Sequence, residues 1–156
     1  FNFFENVWSH GDYIQINEEG GIQIFGRSDS TLNPGGVRIG TAEIYEVVES
    51  IDDIIDTVVA GYSKNNDEFI ILFVKLDKNI NLDNTLKEQI VERIRISCTP
   101  RHVPHRIVKV PDIPYTLNGK KVEVAVKKLI NGYTITNQDS LANPDSLNFY
   151  RDYRFV

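Results

Sequence analysis

Two short segments near the start of the chain place charged side chains where a ligand could be bound. Asp12 brings a carboxylate just before a predicted strand, and Arg27 and Asp29 place a cation and a carboxylate at the end of another. A carboxylate accepts hydrogen bonds from hydroxyl groups, and a guanidinium donates them to oxygen atoms. Taken alone, Asp12 is better explained as a turn former, and Arg27 with Asp29 as a surface ion pair.

Two further segments combine glycine with a cation. One contains Gly35, Gly36 and Arg38, but it lacks the Gly-Lys-Ser/Thr ending of a phosphate-binding P-loop, so by pattern alone it is a wide turn. The other places Lys120 directly after an Asn-Gly tip. For that lysine, taken alone, a solvated turn residue is the default interpretation.

The histidines and the cysteine are weaker candidates. His102 and His105 are three residues apart around a proline, without a helical register or a further ligand, so we expect no bound metal. Cys98 lies near the end of a predicted helix, beside Ile94 and Ile96. We interpret it as a packed residue, because no adjacent base could activate it as a nucleophile.

Hydrophobic periodicity predicts the elements that must position these residues. Two β-rich runs, 13–16 and 22–25, flank a turn composition and predict a hairpin. Segment 26–40 is too rich in Gly, Ser, Asn and Pro to be one regular element. Thr41 can cap a helix that follows it. The buried face of that helix is formed by the apolar residues Ile44, Val47, Val48 and Ile51.

A second hairpin and a second helix come next. The β-branched runs 54–62 and 68–76 predict a hairpin that is more buried than the first. Asp83 or Asn81 can start the helix, and Pro100 ends it. The apolar stripe of this helix repeats every fourth residue, at Leu82, Leu86, Ile90 and Ile94.

The last third of the chain predicts a short strand at 106–110, a rigid loop at 111–119 and a helix from about Lys120 to Asn131. The apolar face of that helix contains Val122, Val126 and Leu129. In the polar tail, Asn143 and the proline after it can begin one more short helix. The order ββ-αββ-αβ-α predicts an α+β domain with a small β-sheet flanked by helices, preceded by a β-hairpin.

Composition narrows the function classes. The chain of 156 residues is 41% hydrophobic and 25% charged, which suits one core with a small appendage. Its formal net charge of -5 disfavours a general binder of nucleic acid or of membrane surfaces. With Cys98 as the single cysteine, no intrachain disulfide can form, which suits a reducing cytoplasm. No apolar run has transmembrane length, and the first residues do not resemble a signal peptide. Because the chain has no initiator methionine, we expect it to be the middle of a longer sequence.

Taken together, the four segments match one family in their order and spacing. The stretches are WSHGD at 8–12, GRSDSTLN at 26–33, GVRIGTAEI at 36–44 and PYTLNGK at 114–120. They resemble the late motifs of the adenylate-forming superfamily, which contains acyl- and aryl-CoA synthetases, adenylation domains and luciferases. The resemblance spans residues 8–130 and implies the small C-terminal lid domain of that superfamily.

Within the superfamily, the most specific resemblance is to acetoacetyl-CoA synthetases. It is carried by PRHVP at 100–104, by the double lysine followed by VEVAVKK at 122–128, and by LANPDSL at 141–147. Acetyl- and propionyl-CoA synthetases usually have a lysine where this chain has Tyr115. They also have an arginine-rich end after the catalytic lysine, which is missing here.

The resemblance implies a reaction in two halves and a role for each segment. In the first half a carboxylate attacks the α-phosphate of ATP, and Lys120 is the catalytic lysine that bridges the two. Asp12 accepts hydrogen bonds from the ribose hydroxyls, Arg27 also contacts the ribose, and Asp29 is the hinge about which the lid rotates. Coenzyme A then displaces AMP in the second half.

For that second half-reaction the resemblance implies that the glycine-rich segment replaces the lysine. Gly35 and Gly36 form part of the coenzyme A tunnel, where Gly36 leaves room for the pantetheine arm. Arg38 holds the phosphate of AMP. The site for the 3′-phosphate of coenzyme A stays open between four arginines, Arg93, Arg95, Arg101 and Arg106.

The expected organisation has three parts: a remnant of the large N-terminal domain at 1–28, the mobile lid at 29–132 and a C-terminal extension at 133–156. The upstream large domain would carry the phosphate loop and the acyl pocket. The substrates implied are ATP with magnesium, coenzyme A and a short acyl carboxylate, with no metal bound in this domain and no nucleic-acid or membrane partner. Two alternatives stay open: the lid of another short-chain acyl-CoA synthetase, and a stand-alone module without catalysis.

Overall fold

The computed structural model describes residues 7, 10–136 and 138–154, in which strands and helices are mixed along the chain. The strands are β1 (Asp12–Ile16), β2 (Ile22–Arg27), β3 (Ile54–Lys64), β4 (Asp67–Leu76) and β5 (Arg106–Lys109). The helices are α1 (Thr41–Val48), α2 (Asn84–Ser97), α3 (Glu123–Ile130) and α4 (Leu147–Asp152). Single 3-10 turns lie at Pro34–Gly36, Pro100–His102, Gln138–Ser140 and Pro144–Ser146. The predicted α+β class is confirmed.

A three-stranded sheet in the order β3-β4-β5 forms the centre of the fold. Strands β3 and β4 are antiparallel, joined by a turn in which Asn65 and Asn66 have φ values of 55° and 61°. Asparagine tolerates this left-handed conformation, which suits the tight turn of a twisted hairpin. Strand β5 pairs with β4 in parallel, because α2 carries the chain across the sheet between them. Both predicted hairpins are therefore present.

Both faces of this sheet are covered, so β4 has no exposed side. On one face Ile70, Leu72 and Val74 pack with α1 and α2, and on the other Ile71 and Phe73 pack with α3 and α4. Successive side chains of a strand point to opposite faces. This double burial is the reason why the run 69–74 is apolar without alternation.

Three helix starts refine the predictions. Thr41 is the first residue of α1 and not its cap, because its hydroxyl donates a hydrogen bond to Glu123 Oε1 at 2.8 Å. Helix α3 begins at Glu123 and not at Lys120, because Lys121 is still paired with Tyr115 as a β-bridge. For α2 the cap is Asp83, whose carboxylate accepts a hydrogen bond from the backbone of the third residue of the helix at 2.9 Å.

The tail after α3 packs against the sheet. Leu147 and Tyr150 are fully buried, and the rings of Tyr150 and Phe73 meet edge to face with their centroids 5.0 Å apart. The short helix predicted after Asn143 is present as a 3-10 turn that continues into α4. The tail therefore supplies part of the core on that face.

The first hairpin is a separate two-stranded sheet with a different environment. Its four isoleucines are 51–65% exposed, at Ile14, Ile16, Ile22 and Ile24. In the described part of the chain, no helix is both long and apolar enough to span a membrane.

Candidate functional site

Lys120 lies at the tip of a small closed loop. We call residues 115–121 the lysine loop. Its ends, Tyr115 and Lys121, form an antiparallel bridge, and the carbonyl of Lys120 accepts a hydrogen bond from the backbone of Thr116 at 2.9 Å. Gly119 has a φ of 72°, which a residue without a side chain adopts at little cost. The loop therefore presents the exposed Lys120 side chain from a fixed backbone.

The tail pairs with the outer edge of the lysine loop. The backbone N–H of Leu117 donates to the carbonyl of Ser140 at 3.0 Å, and that of Ala142 donates to the carbonyl of Tyr115 at 2.9 Å. The side chain of Asn143 accepts a hydrogen bond from the backbone N–H of Tyr115, also at 2.9 Å. Residues far along the chain thus fix the first half of the loop.

The glycine-rich segment is held at a different place. We call residues 32–39 the glycine loop, since a bridge between Leu32 and Ile39 closes it. The backbone N–H of Gly35 donates to Asp67 Oδ1 at 2.9 Å. The backbone N–H of Asn33 donates to Glu68 Oε1 at the same distance. The hydrogen bond from Gly35, followed by that from the backbone of residue 68, lowers the pKa of Asp67 below its ordinary value.

Gly36 has a φ of 81° and open space where a Cβ would stand, with no atom within 4 Å. A Cβ on the neighbouring Gly35 would lie 3.4 Å from a guanidinium nitrogen of Arg101. Of the four arginines left open above, Arg101 is therefore beside the glycine loop, whereas Arg95 forms an ion pair with Glu92 at 3.4 Å. The loop combines an unobstructed backbone with a nearby cation, which suits a narrow anionic ligand.

Arg38 lies in a cleft of about 370 Å³ that also borders the first hairpin. Arg38, Glu43 and His102 line the cleft together with Ile14 and Gln15 of β1. His102 is buried, and its two ring nitrogens lie 2.9 Å from Glu43 Oε2 and 2.9 Å from Thr99 Oγ1. No local sequence pattern joins residues 43 and 102, so this pair could not be predicted from the sequence.

The other weak candidates have structural partners. His105 Nδ1 accepts a hydrogen bond from the backbone N–H of Ile70 at 3.0 Å. The Cys98 thiol packs at the edge of the core beside Glu43, and burial, followed by that carboxylate, raises its pKa. Among the described residues, no three side chains of His, Cys, Asp or Glu come together as a metal site would require.

Asp12, Arg27 and Asp29 form a chain of charges at the end of the first hairpin. Asp12 and Arg27 face each other in the strand register, with Nε and Oδ1 4.0 Å apart. Arg27 donates to both oxygens of Asp29, at 3.2 and 3.0 Å. This hydrogen bonding raises the pKa of Arg27 and lowers that of Asp29. Both partners are exposed, so the geometry is also that of a surface ion pair.

The predicted residues thus fall into separate groups. The lysine loop lies near Asp56, at the start of β3, and the glycine loop is bonded to Asp67, which pairs with Lys64 at the other end. Residues 56 and 64 are about 26 Å apart along the strand at the usual rise of about 3.3 Å per residue. Trp8 and Ser9, which belong to the first motif, lie outside the described residues.

Comparison with known proteins identifies relatives that are much longer than this chain. An acetoacetyl-coenzyme A synthetase of Rhizobium meliloti is 47% identical over 150 residues, which is 96% of this chain and 23% of that protein. An acetoacetyl-CoA synthetase of Caenorhabditis elegans is 48% identical over 157 residues, 99% of this chain and 22% of that protein. No protein-family model matches the chain.

A solved structure supports the same relationship. The acetoacetyl-CoA synthetase from Streptomyces lividans superposes with a TM-score of 0.86 at 41% identity, over 97% of this chain and 23% of that one. The chain thus spans about a quarter of the length of the relatives that it matches. It matches the C-terminal part of acetoacetyl-CoA synthetases over nearly its whole length.

Proposed function

We propose that this chain is the mobile C-terminal domain of an acetoacetyl-CoA synthetase, which converts acetoacetate, ATP and coenzyme A into acetoacetyl-CoA, AMP and pyrophosphate. The domain supplies Lys120 for the first half-reaction and the glycine loop for the second. The observation that carries the proposal is the separation of the two loops at opposite ends of β3. Loops so far apart cannot reach one reacting centre together, so a rigid domain must rotate between the two steps.

In the first half-reaction a carboxylate oxygen of acetoacetate attacks the α-phosphorus of ATP, and the bond to pyrophosphate breaks. Lys120 lies near the attacking carboxylate and the α-phosphate, where its ammonium stabilises the negative charge that shifts between them. The magnesium that accompanies ATP is part of the substrate. Asp12 accepts hydrogen bonds from the ribose hydroxyls, and Arg27 contacts the ribose beside it.

In the second half-reaction the sulfur of coenzyme A attacks the acyl carbon, and the bond to AMP breaks to leave the thioester. Rotation about Asp29 brings the glycine loop to the centre in place of Lys120. The pantetheine arm passes over Gly36, where the structure has open space for it. Arg38 binds the phosphate of the leaving AMP, and Arg101 is our choice for the 3′-phosphate of coenzyme A.

The remaining parts of the proposal concern the whole enzyme. The phosphate loop and acyl pocket belong to a large N-terminal domain, which is the main partner of this one. Residues 29–132 form the lid, 133–156 its C-terminal extension, and 1–28 the last hairpin of the large domain. The exposed isoleucines of that hairpin support a contact with further protein. A single cysteine supports a reducing, cytoplasmic location.

The test is Lys120→Ala in a full-length enzyme that contains this chain. We expect acetoacetate-dependent pyrophosphate exchange to fall by the equivalent of about 2.7–4 kcal/mol, while thioester formation from pre-made acetoacetyl-adenylate is retained. Lys78→Ala is the matched control, since it removes an exposed turn lysine that has no proposed role. Equal loss of both half-reactions in the Lys120 variant, or an equal effect in the control, would refute the assignment.

A further inference from the structure

One carboxylate lies under the lysine loop and has no part in the proposed mechanism. Asp56 is on β3, its side chain is 17% exposed, and its two oxygens bond to the two ends of that loop. Oδ2 accepts a hydrogen bond from the Tyr115 hydroxyl at 2.8 Å, and Oδ1 lies 2.9 Å from Lys121 Nζ. Tyr115 and Lys121 are the pair whose bridge closes the loop. A single side chain of the sheet, that of Asp56, therefore bonds to both ends of the segment that carries Lys120.

The strand is locally reshaped at this position. The register of β3 against β4 shifts between Ile54 and Asp56, so an extra residue is accommodated just before the carboxylate. Such bulges change the direction in which a strand's side chains point. Ile55, at the bulge, is 56% exposed although it is apolar. The irregularity is thus adjacent to the residue that contacts the loop.

The charges around Lys121 hold it in place. Its ammonium contacts Glu49 Oε1 as well as Asp56 and lies 4.3 Å from the centre of the Tyr45 ring. Glu49 is itself fixed, because it accepts a hydrogen bond from the Thr57 hydroxyl at 2.6 Å. Burial, followed by the hydrogen bond to Asp56, raises the pKa of Tyr115 well above its ordinary value, so its hydroxyl remains a donor.

The two adjacent lysines therefore differ in kind. Lys121 is 18% exposed and bound by two carboxylates, whereas Lys120 is exposed and, within the described part of the chain, forms no ion pair. A loop anchored at both ends has little freedom at its tip. A lysine that stabilises charge on the oxygen atoms of the reacting groups must be held in position before the reaction. A displacement of about 1 Å can reduce the rate by about a hundredfold.

We propose that Asp56 is a positioning residue for Lys120, which holds both ends of the lysine loop on β3 and so fixes where the ammonium lies during adenylation. This inference rests on the proposed function, because it needs Lys120 to act in the first half-reaction. Asp56 touches no substrate and acts only through the loop.

The experiment is Asp56→Asn in the full-length enzyme, with Tyr115→Phe as a second variant that keeps the ring and removes only the hydroxyl. We expect Asp56→Asn to lower pyrophosphate exchange by about 10- to 100-fold and Tyr115→Phe by less, since it breaks one of the two contacts. Thioester formation from pre-made adenylate should be unchanged in both. Glu92→Gln, which breaks an exposed ion pair on α2, is the control and should change neither step.

A double-mutant cycle separates positioning from general stability. If Asp56 acts through Lys120, then Asp56→Asn added to Lys120→Ala should not reduce the residual exchange any further. If it is merely structural, it should reduce that residual rate, the thioester step and the melting temperature together, and this would overturn the inference. Full exchange activity in both Asp56→Asn and Tyr115→Phe would also overturn it. If Lys120→Ala lowers exchange as expected while Asp56→Asn and Tyr115→Phe leave it unchanged, only this inference fails and the proposed function stands.

Discussion

The lysine loop and the glycine loop are attached to opposite ends of one hairpin, and they are attached differently. The lysine loop is held by side chains that are partly buried, Asp56 and Lys121, and by pairing with the tail. The glycine loop is held by two of its backbone N–H groups, which donate to the side chains of Asp67 and Glu68, the first two residues of β4.

This difference follows from what each loop has to do in the proposed mechanism. A charge that stabilises a transition state must be placed to a fraction of an ångström, which requires an anchored loop. A backbone over which a flexible arm passes needs open space more than a fixed charge, and Gly36 has that space. We therefore expect the position of the lysine loop to depend on packing in the core. The position of the glycine loop should depend on its hydrogen bonds to Asp67 and Glu68.

The largest effect should come from the core that supports the lysine loop. Tyr150→Ala removes a fully buried ring, and its hydroxyl donates to the carbonyl of Asp112, whose carboxylate bonds to Asn143. We expect the free energy of unfolding to fall by about 3–5 kcal/mol, as measured by denaturant titration. Tyr133→Ala, at a tyrosine that is 67% exposed, is the control and should change stability by less than about 0.5 kcal/mol.

If Tyr150→Ala lowered the free energy of unfolding as little as Tyr133→Ala, the tail would not be part of the core. The lysine loop would then not depend on core packing by the tail. The same measurement bears on the expected boundary at residue 132, which remains a proposal. A lid that ended there would lack Leu147 and Tyr150, both fully buried.

The next effect concerns Gly36. Gly36→Leu should obstruct coenzyme A and reduce thioester formation while pyrophosphate exchange is kept, because the added side chain enters the open space above the loop. Gly132→Leu is a close control, since that glycine has a φ of 82° and equally open surroundings outside the proposed site. Both should lose about 1 kcal/mol or more of stability from the positive φ. Matched losses of thioester formation in the two variants would reduce Gly36 to a turn residue.

A smaller effect is expected at Asp67, the first residue of β4, which holds the glycine loop. Asp67→Asn replaces a carboxylate oxygen that accepts from Gly35 by a weaker amide acceptor. Thioester formation should fall by about two- to fivefold, as expected for a hydrogen bond worth about 1 kcal/mol or less, and pyrophosphate exchange should not change. A loss of exchange in this variant would contradict the independence of the two loops. Asp77→Asn, at an exposed residue directly after β4, is the control and should change neither half-reaction.

The smallest effect is a dependence on pH. The pKa of Asp67 is lowered in the fold by the backbone of Gly35, so its bond to the loop is complete above the ordinary value of about 3.9 and is lost as the pH falls through the lowered value. The amide signal of Gly35 should therefore shift with a midpoint below about 3.9 in an NMR titration. Asp67→Asn should abolish that shift. If the amide chemical shift of Gly35 did not change with pH in the unmodified protein, the Asp67 carboxylate would not hold the glycine loop.

The sequence by itself determined the elements and the identity of the candidate residues. Alternation and β-branched runs predict both hairpins, because the pattern of apolar and polar residues in a strand indicates which of its faces are buried. The motif around Lys120 and the glycines of the other loop are likewise local, since a reactive segment needs its residue types next to each other. The start of α3 was predicted three residues early, because the bridge between Tyr115 and Lys121 competes with helix formation there.

Only the tertiary structure decided which residues support those segments. Asp56 meets Tyr115 across 59 positions, Gly35 meets Asp67 across 32, and Glu43 meets His102 across 59. An aspartate in a strand or at a turn has the same local pattern whether it faces solvent or grips a distant loop. Its partner is set by how helices and strands pack against one sheet, and that packing is a property of the whole chain rather than of any segment.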